Sequence, residues 1–180
     1  MKRHILTAAV AALGLWAVTS QTASARDLVF GSYLPPKHNV NVYGLEPLFK
    51  ELGKDVPWNL VSGGQLFSGK ATLKSVGYGA ADAGVVIPAY VQSALKNAFT
   101  TQDMVFTVSD ALAMNAAVME TFVNDCPECL EDYHKSGTVL LATYAVDGWS
   151  ALCRDKIASI EDLKGKRIRT SGALGRLGNA

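Results

Sequence analysis

The chemistry-bearing stretch of this chain runs from Glu161 to Gly172, where a charged turn leads into a short run of alternating residues. The alternation across Arg167 to Arg169 predicts a strand with Ile168 on one face and two arginines on the other, and Ser171 is typical of a following helix N-cap. In open α/β sheets, ligands lie at the carboxyl ends of strands beside helix N-termini, where a guanidinium and backbone N–H groups bind one carboxylate. Arg169 is therefore a candidate anion-binding residue, and a solvated strand end is the alternative.

Cysteine could supply a second chemistry, because Cys126-Pro127-Glu128-Cys129 has the spacing of a thioredoxin-type redox site. A reactive thiol needs an electropositive setting, and acidic residues lie on both sides of this motif. An exported thiol-disulfide oxidoreductase using Cys126 and Cys129 is thus the alternative function. A structural disulfide between these two residues is favoured, which leaves Cys153 buried or free.

Other catalytic motifs are incomplete. The segment Gly64 to Ala71 lacks the Ser or Thr that follows the lysine of a phosphate-binding loop. His38 and His134 have no partners at metal-ligand spacing, and no serine lies in a nucleophile elbow. The sequence therefore predicts a protein that is not an enzyme and that uses no metal or cofactor.

Two aromatic residues follow predicted strands closely enough to reach a ligand. Tyr90 comes just after the third predicted strand, and Trp149 just after a later one. Side chains of this kind are more often part of the core, but at a strand end facing a cleft each could stack on a ligand.

The N-terminal 25 residues have the features of a secretory signal peptide. Lys2 and Arg3 precede an apolar run that is shorter than the roughly 20 residues of a membrane span, and Ala23-Ser24-Ala25 is a small-residue cleavage site. Loss of Lys2 and Arg3 would reduce 17 basic residues to 15 against 16 acidic ones, a formal charge of −1. This balance argues against nucleic acid as a partner.

Strand and helix patterns alternate along the remainder, which predicts an α/β fold with a mostly parallel sheet. Strands are predicted at 28–33, 58–61, 83–87 and 139–144, and helices at 42–52, 71–77, 89–98 and 111–124. The helix at 111–124 is predicted to bury Leu112, Phe122 and Val123 on one stripe. A change of domain is plausible near residues 145–148, and the chain ends where the helix at Ser171 should form, so it is expected to be a fragment.

Four segments together resemble the extracytoplasmic solute-binding proteins of TRAP transporters, the DctP-like family. They are Val29 to Pro35, Ser62 to Phe67 with the later Gly79 to Asp82, and Leu163 to Arg169, whose Leu-Lys-Gly-x-x-Ile-Arg pattern is the strongest match. The resemblance implies a two-domain periplasmic binding protein, type II-like, with domain I at 26–146 and a truncated domain II from 147. Its implied ligand is a small organic acid, which it delivers to membrane permease subunits.

The resemblance also implies roles for particular residues. The arginine matching Arg169 pairs with the ligand carboxylate in the family, and Trp149 stands where many members have a second arginine. An indole there would suit a ligand with an apolar, aromatic or cationic portion. Domain I is expected to contribute His38, Gln65 and Tyr90.

Overall fold

Strand β1, Leu28–Gly31, has a neighbour on each side in a three-stranded parallel sheet. The computed structural model describes residues 26–102, 110–146 and 152–169. Strand β2, Trp58–Val61, pairs with β1 along its whole length, and strand β3, Ala83–Gly84, pairs with the end of β1. The sheet order is therefore β2-β1-β3, and the predicted α/β class is confirmed for the described residues.

The connection from β1 to β2 is helical and is held on the sheet by aromatic side chains. It begins as a π-helix at Val40–Leu45 and continues as α1, Glu46–Leu52. The ring of Phe49 on α1 stacks on Trp58 and also contacts Phe30, each at 5.1 Å between ring centroids. Offset and tilted aromatic pairs add to the free energy of apolar burial, so these three rings fix α1 against β1 and β2.

The third strand is shorter than predicted. Helix α2, Thr72–Gly77, lies close to its predicted bounds, but the strand expected over 83–87 pairs only at Ala83–Gly84. Strand β1 ends at Gly31, so the last ladder bond is the one from Val85 N to the Gly31 carbonyl, at 3.1 Å. Beyond that point the segment pairs with no described strand, and Pro88 has no N–H to donate.

Three helices form the main apolar core: α3, Lys96–Gln102, α4, Ala111–Asn124, and α5, Pro127–Lys135. Leu95, Ala98 and Phe122 are completely buried there. The helix predicted over 89–98 is wrong, because the structure has a 3₁₀ turn at Pro88–Tyr90 and starts α3 only at Lys96. The buried Asp132 carboxylate on α5 explains this start, since it accepts the Asn97 N–H at 2.7 Å.

Helix α4 has the predicted bounds but a different buried face. Asp110 caps it by accepting the backbone N–H groups of Leu112 and Ala113. Leu112 and Val123 were expected in the core and are instead 83% and 65% exposed, whereas Val118 and Phe122 are buried. Helical spacing identifies an apolar stripe, but the neighbouring elements decide which edge of the stripe they cover.

Two predicted strands are absent from the described residues. Residues 139–144 form neither strand nor helix, and Val139 and Leu141 are exposed. Residues 166–169, which include Arg169, also lack regular structure and follow a short 3₁₀ turn at Glu161–Leu163. A strand needs a neighbour to pair its backbone groups, and no described strand lies beside either segment. Within the described ranges, no helix has the length and apolar character needed to cross a membrane.

Gly31 is required by the close approach of a buried ring. A Cβ built on Gly31 would overlap Cζ of Phe67, and Phe67 is buried. The ring therefore occupies the space that any other residue at this position would need. By contrast, a Cβ on the exposed Gly44 would meet nothing within 4 Å.

Replacing Gly31 with alanine should therefore destabilise the protein by overpacking, with a fall in Tm of roughly 3 to 10 °C. Thermal unfolding followed by circular dichroism measures this, with Gly44→Ala as the matched control that should keep or raise the Tm, because alanine is more favourable than glycine in a helix. Adding Phe67→Leu to Gly31→Ala should recover part of the loss, because the smaller side chain leaves room for the methyl group. An unchanged Tm for Gly31→Ala contradicts the packing.

One carboxylate joins the amino-terminal ends of β1 and β3. Asp82, just before β3, accepts hydrogen bonds from both terminal nitrogens of the Arg26 guanidinium and, at 2.8 Å, from Val29 N. The hydrogen bonds from Arg26 and then from Val29 lower the pKa of Asp82 to about 2. Because this pKa is lower than the unfolded value, the stabilisation is fully present above about pH 4 and is lost as the pH falls toward 2.

An acid titration of stability tests this contact. The Tm of the unmodified protein should fall more steeply between pH 5 and pH 2 than the Tm of Asp82→Asn, which has no carboxylate to protonate. Asp27→Asn is the control, because the Asp27 carboxylate makes no hydrogen bond to any residue in the described ranges. Equal slopes for Asp82→Asn and the unmodified protein contradict the role given to Asp82.

Candidate ligand-binding site

The strand order places a switch point between β1 and β3. The chain leaves β1 to form β2 on one side and then returns to form β3 on the other, so the two connections diverge at the carboxyl ends of β1 and β3. Ligands of open α/β sheets bind in the crevice at such a point. Tyr33 follows β1 and Tyr90 follows β3, so two tyrosines lie at this edge.

These tyrosines contact each other. Their ring centroids are 6.2 Å apart, with the planes tilted by 58°. The Tyr33 ring also packs on Gly69, where a Cβ would lie only 3.1 Å from the ring atoms. Tyr33 thus contacts both a glycine of the β2–α2 loop and the ring of Tyr90.

The hydroxyl of Tyr33 is the most unusual polar atom at this edge. It is buried, and it has no hydrogen-bond partner among the described residues. Burial raises the pKa of Tyr33 well above its ordinary value, and the nearby Tyr144 and Tyr90 raise it further, so the hydroxyl keeps its proton. A buried hydroxyl without a partner costs about 1 to 3 kcal/mol, which makes it a poor choice for stability alone.

A buried asparagine organises the loop that follows β1. Asn41, in the π-helix, accepts the Ser32 hydroxyl at 2.8 Å and donates to the carbonyls of Leu34 and Pro35. Asn41 is completely buried, so these hydrogen bonds form away from water. They fix the direction in which the chain leaves β1 and, with it, the position of Tyr33.

The loops after β1 and β2 are joined by two glycines. Gly63 and Gly64 have φ of 73° and 71°, and their N–H groups donate to the carbonyls of Leu34 and Ser32. Left-handed conformations at two successive positions suit glycine, which has no Cβ. Gln65 follows this pair and is exposed.

His38 lies on the first of these loops and has a local role. Its Nδ1 accepts the backbone N–H of Val40 at 3.2 Å, and the residue is half-buried. The structure therefore places His38, Gln65 and Tyr90 on the three loops that follow β1, β2 and β3. Among the described residues, no hydrogen bond joins these three side chains to one another.

Arg169 is exposed, and within the described part of the chain its guanidinium has no hydrogen-bond or ion-pair partner. The turn before it is ordered by Asp162, which accepts the N–H groups of Ala158 and Ser159. These backbone hydrogen bonds lower the pKa of Asp162. Trp149 lies outside the described residues.

An open pocket of about 610 Å³ adjoins Tyr90. It is lined by the segment between β3 and α3 and by the first turns of α3, and it includes the ammonium-bearing Lys96 and the half-buried Phe99. In the described ranges, no group of three or more His, Cys, Asp or Glu side chains is placed to hold a metal ion.

The sulfurs of Cys126 and Cys129 are joined, with an S–S distance of 2.03 Å, which is the pairing favoured from the sequence. Cys129 is completely buried in the helical core, where its sulfur lies 3.5 Å from the Thr101 hydroxyl. Cys126 packs against the same core, and Cys153 is free and exposed. The disulfide thus closes the first turn of α5 against α3 rather than facing a cleft.

Sequence reasoning missed Tyr33 and Asn41. The sequence pattern ends the first predicted strand at Tyr33 and begins the next predicted helix at residue 42, so it assigns Asn41 to no element. The available signal was Asn41 itself, since an asparagine among apolar helical residues is a candidate buried polar group. Nothing local indicated that the Tyr33 hydroxyl would lack a partner.

Comparison with known families agrees with the α/β fold. Residues 36–176 match the family described as bacterial extracellular solute-binding protein, family 7, also called DctP. The match covers most of the chain, so the protein belongs to this family, and the resemblance found in the sequence is confirmed. The family consists of extracytoplasmic solute-binding proteins of TRAP transporters. No characterised protein matches the chain closely enough to serve as a named relative.

Replacement of Asn41 tests the organisation of the loop after β1. Asn41→Ala should lower the free energy of unfolding by about 1 to 3 kcal/mol, because the buried Ser32 hydroxyl loses its acceptor. Urea denaturation measures the change. Asn39→Ala is the matched control, since Asn39 is exposed at the start of the same helix and makes no capping hydrogen bond through its side chain. Equal stability of the two variants contradicts the role of Asn41.

Proposed function

We propose that this protein captures a small organic acid outside the cytoplasm and presents it to the permease subunits of a TRAP-type transporter. This proposal rests on the family match over residues 36–176, a range that contains all five candidate ligand-binding residues. They are His38, Gln65, Tyr90, Trp149 and Arg169. The protein acts by binding and release rather than by catalysis.

Arg169 is the proposed partner of the ligand carboxylate. An arginine binds a carboxylate through two parallel N–H groups, and the pair strengthens when water is excluded. Its exposure and its lack of a partner in the described ranges support this role, because a guanidinium already paired within the protein would be a weaker anion site. Closure of two domains around the ligand would supply the exclusion of water.

The remaining residues fit a division between two domains. Residues 26–146 form domain I, whose loops after β1, β2 and β3 bring His38, Gln65 and Tyr90 to the cleft. Residues from 147 onward begin domain II of a type II-like binding protein and contribute Trp149 and Arg169. Export to the periplasm, with cleavage after Ala25, completes the proposal and agrees with the extracytoplasmic character of the family.

The thiol-disulfide oxidoreductase alternative has no supporting observation. A redox disulfide must be reached by its substrate, whereas Cys129 is completely buried and Cys126 packs against the apolar core. The disulfide is better explained as a structural closure of α5, and the family match does not favour the alternative.

Calorimetry on the purified protein tests the role of Arg169. Titration with a panel of carboxylates, including succinate, malate, benzoate and phenylacetate, should identify at least one ligand. Arg169→Ala should then bind that ligand about 30-fold or more weakly, because a desolvated carboxylate is left without its partner.

Arg167→Ala is the matched control for this experiment. Arg167 is also exposed and lies two residues from Arg169, and its replacement by alanine removes the same charge. Arg167→Ala should therefore change the affinity for the ligand by less than about threefold. Equal losses of affinity in Arg167→Ala and Arg169→Ala would show that only the net charge matters and that Arg169 does not contact the carboxylate. Full affinity in Arg169→Ala would refute the carboxylate role.

A further inference from the structure

Three tyrosines gather where the strand order reverses. Tyr33 and Tyr90 contact each other with ring centroids 6.2 Å apart. Tyr144 is close enough to both that it affects the pKa of Tyr33 and is itself affected by Tyr90. An aromatic wall at a ligand-binding edge favours a flat, apolar ligand body, because ring faces stack on aromatic groups.

The unsatisfied hydroxyl of Tyr33 gives this wall a polar end. It is buried, it has no partner in the part of the chain that the structure describes, and its ring contacts both Gly69 and Tyr90. A donor that is fixed in place without an acceptor is prepared for a partner that arrives later. Because the pKa of Tyr33 is raised, the hydroxyl is protonated and can donate near neutral pH.

Access to this hydroxyl requires a neighbouring side chain to move. Tyr144 can do so with little loss, since it is 43% exposed and lies on the segment 139–146, which has neither helix nor strand. Tyr33, by contrast, is fixed by its packing and remains in position.

We infer that Tyr33, Tyr90 and Tyr144 form an aromatic subsite in which the Tyr33 hydroxyl donates a hydrogen bond to the ligand. The ligand is an organic acid with an aromatic body and an oxygen acceptor at the end remote from its carboxylate. This inference rests on the proposed function, because Arg169 supplies the partner of the carboxylate. It adds a ligand class and a residue, Tyr33, to that proposal.

The variant Tyr33→Phe isolates the hydroxyl, since it keeps the ring and its packing. Without ligand, Tyr33→Phe should be as stable as the unmodified protein or more stable, because it removes a buried group that has no partner. Tyr43→Phe is the control, since Tyr43 is 79% exposed and lies outside the subsite. A fall in Tm of more than about 3 °C for Tyr33→Phe alone would show that the hydroxyl has a structural partner and would overturn the inference.

Binding is measured by calorimetry with 4-methoxyphenylacetate and 4-ethylphenylacetate, which differ by one ether oxygen in place of a methylene group. The unmodified protein should bind both, and its preference for the methoxy compound should fall by about 3- to 10-fold in Tyr33→Phe. Tyr43→Phe should keep the preference of the unmodified protein.

The remaining outcomes separate this inference from the proposed function. Binding of succinate without either aromatic acid overturns the aromatic subsite and leaves a carboxylate-binding protein. An equal preference in Tyr33→Phe and the unmodified protein overturns the role of the hydroxyl. If the protein binds neither succinate, nor either aromatic acid, nor any other carboxylate of the panel used for Arg169, both proposals are overturned.

Discussion

The side chain of Asn41 is the contact on which the carboxyl edge of the sheet depends. It joins Ser32, at the end of β1, to the backbone carbonyls of Leu34 and Pro35, and it does so without exposure to water. In a medium of low polarity each of these hydrogen bonds is stronger, and each is costly to leave unmade. The chain therefore leaves β1 in one direction only. That direction ends the pairing of β3, brings the loop after β1 against Gly63 and Gly64, and orients Tyr33 toward Tyr90.

One buried carboxylate, one exposed carboxylate and one buried hydroxyl show different uses of polar groups in this fold. Asp132 satisfies the first N–H groups of α3, and Asp82 joins the amino ends of β1 and β3 through Val29 and Arg26. Both carboxylates have partners, so both stabilise the folded state. The Tyr33 hydroxyl has none in the described residues, and its burial opposes stability. Buried polar groups without a hydrogen-bond partner are concentrated at functional sites, where they lower the stability of the folded protein but are available to bind a ligand.

The family assignment and the sheet order are separate findings about this protein. The match to the solute-binding family covers residues 36–176 without reference to any contact. The sheet order independently identifies the crevice at the carboxyl ends of β1 and β3. His38, Gln65 and Tyr90 follow the three strands in turn, so the sequence pattern was sufficient to place them at this edge. Their order along the chain could not show that Tyr90 contacts Tyr33, because that contact joins residues far apart in sequence.

The types and spacing of neighbouring side chains determined those strands and helices whose bounds depend mainly on their own residues. Strand β2 and helix α4 have the predicted bounds, since a short β-branched and aromatic run and a capped apolar helix are recognisable from side-chain type and spacing. Tertiary structure decided the rest. Asp132 set the start of α3, the turn after Gly31 limited β3, and the absence of a described neighbour left 139–144 and 166–169 without strand pairing. Backbone pairing, helix capping from a distant residue and the burial of one hydroxyl all depend on groups that meet only in the folded chain, and the periodicity of a single segment contains no information about them.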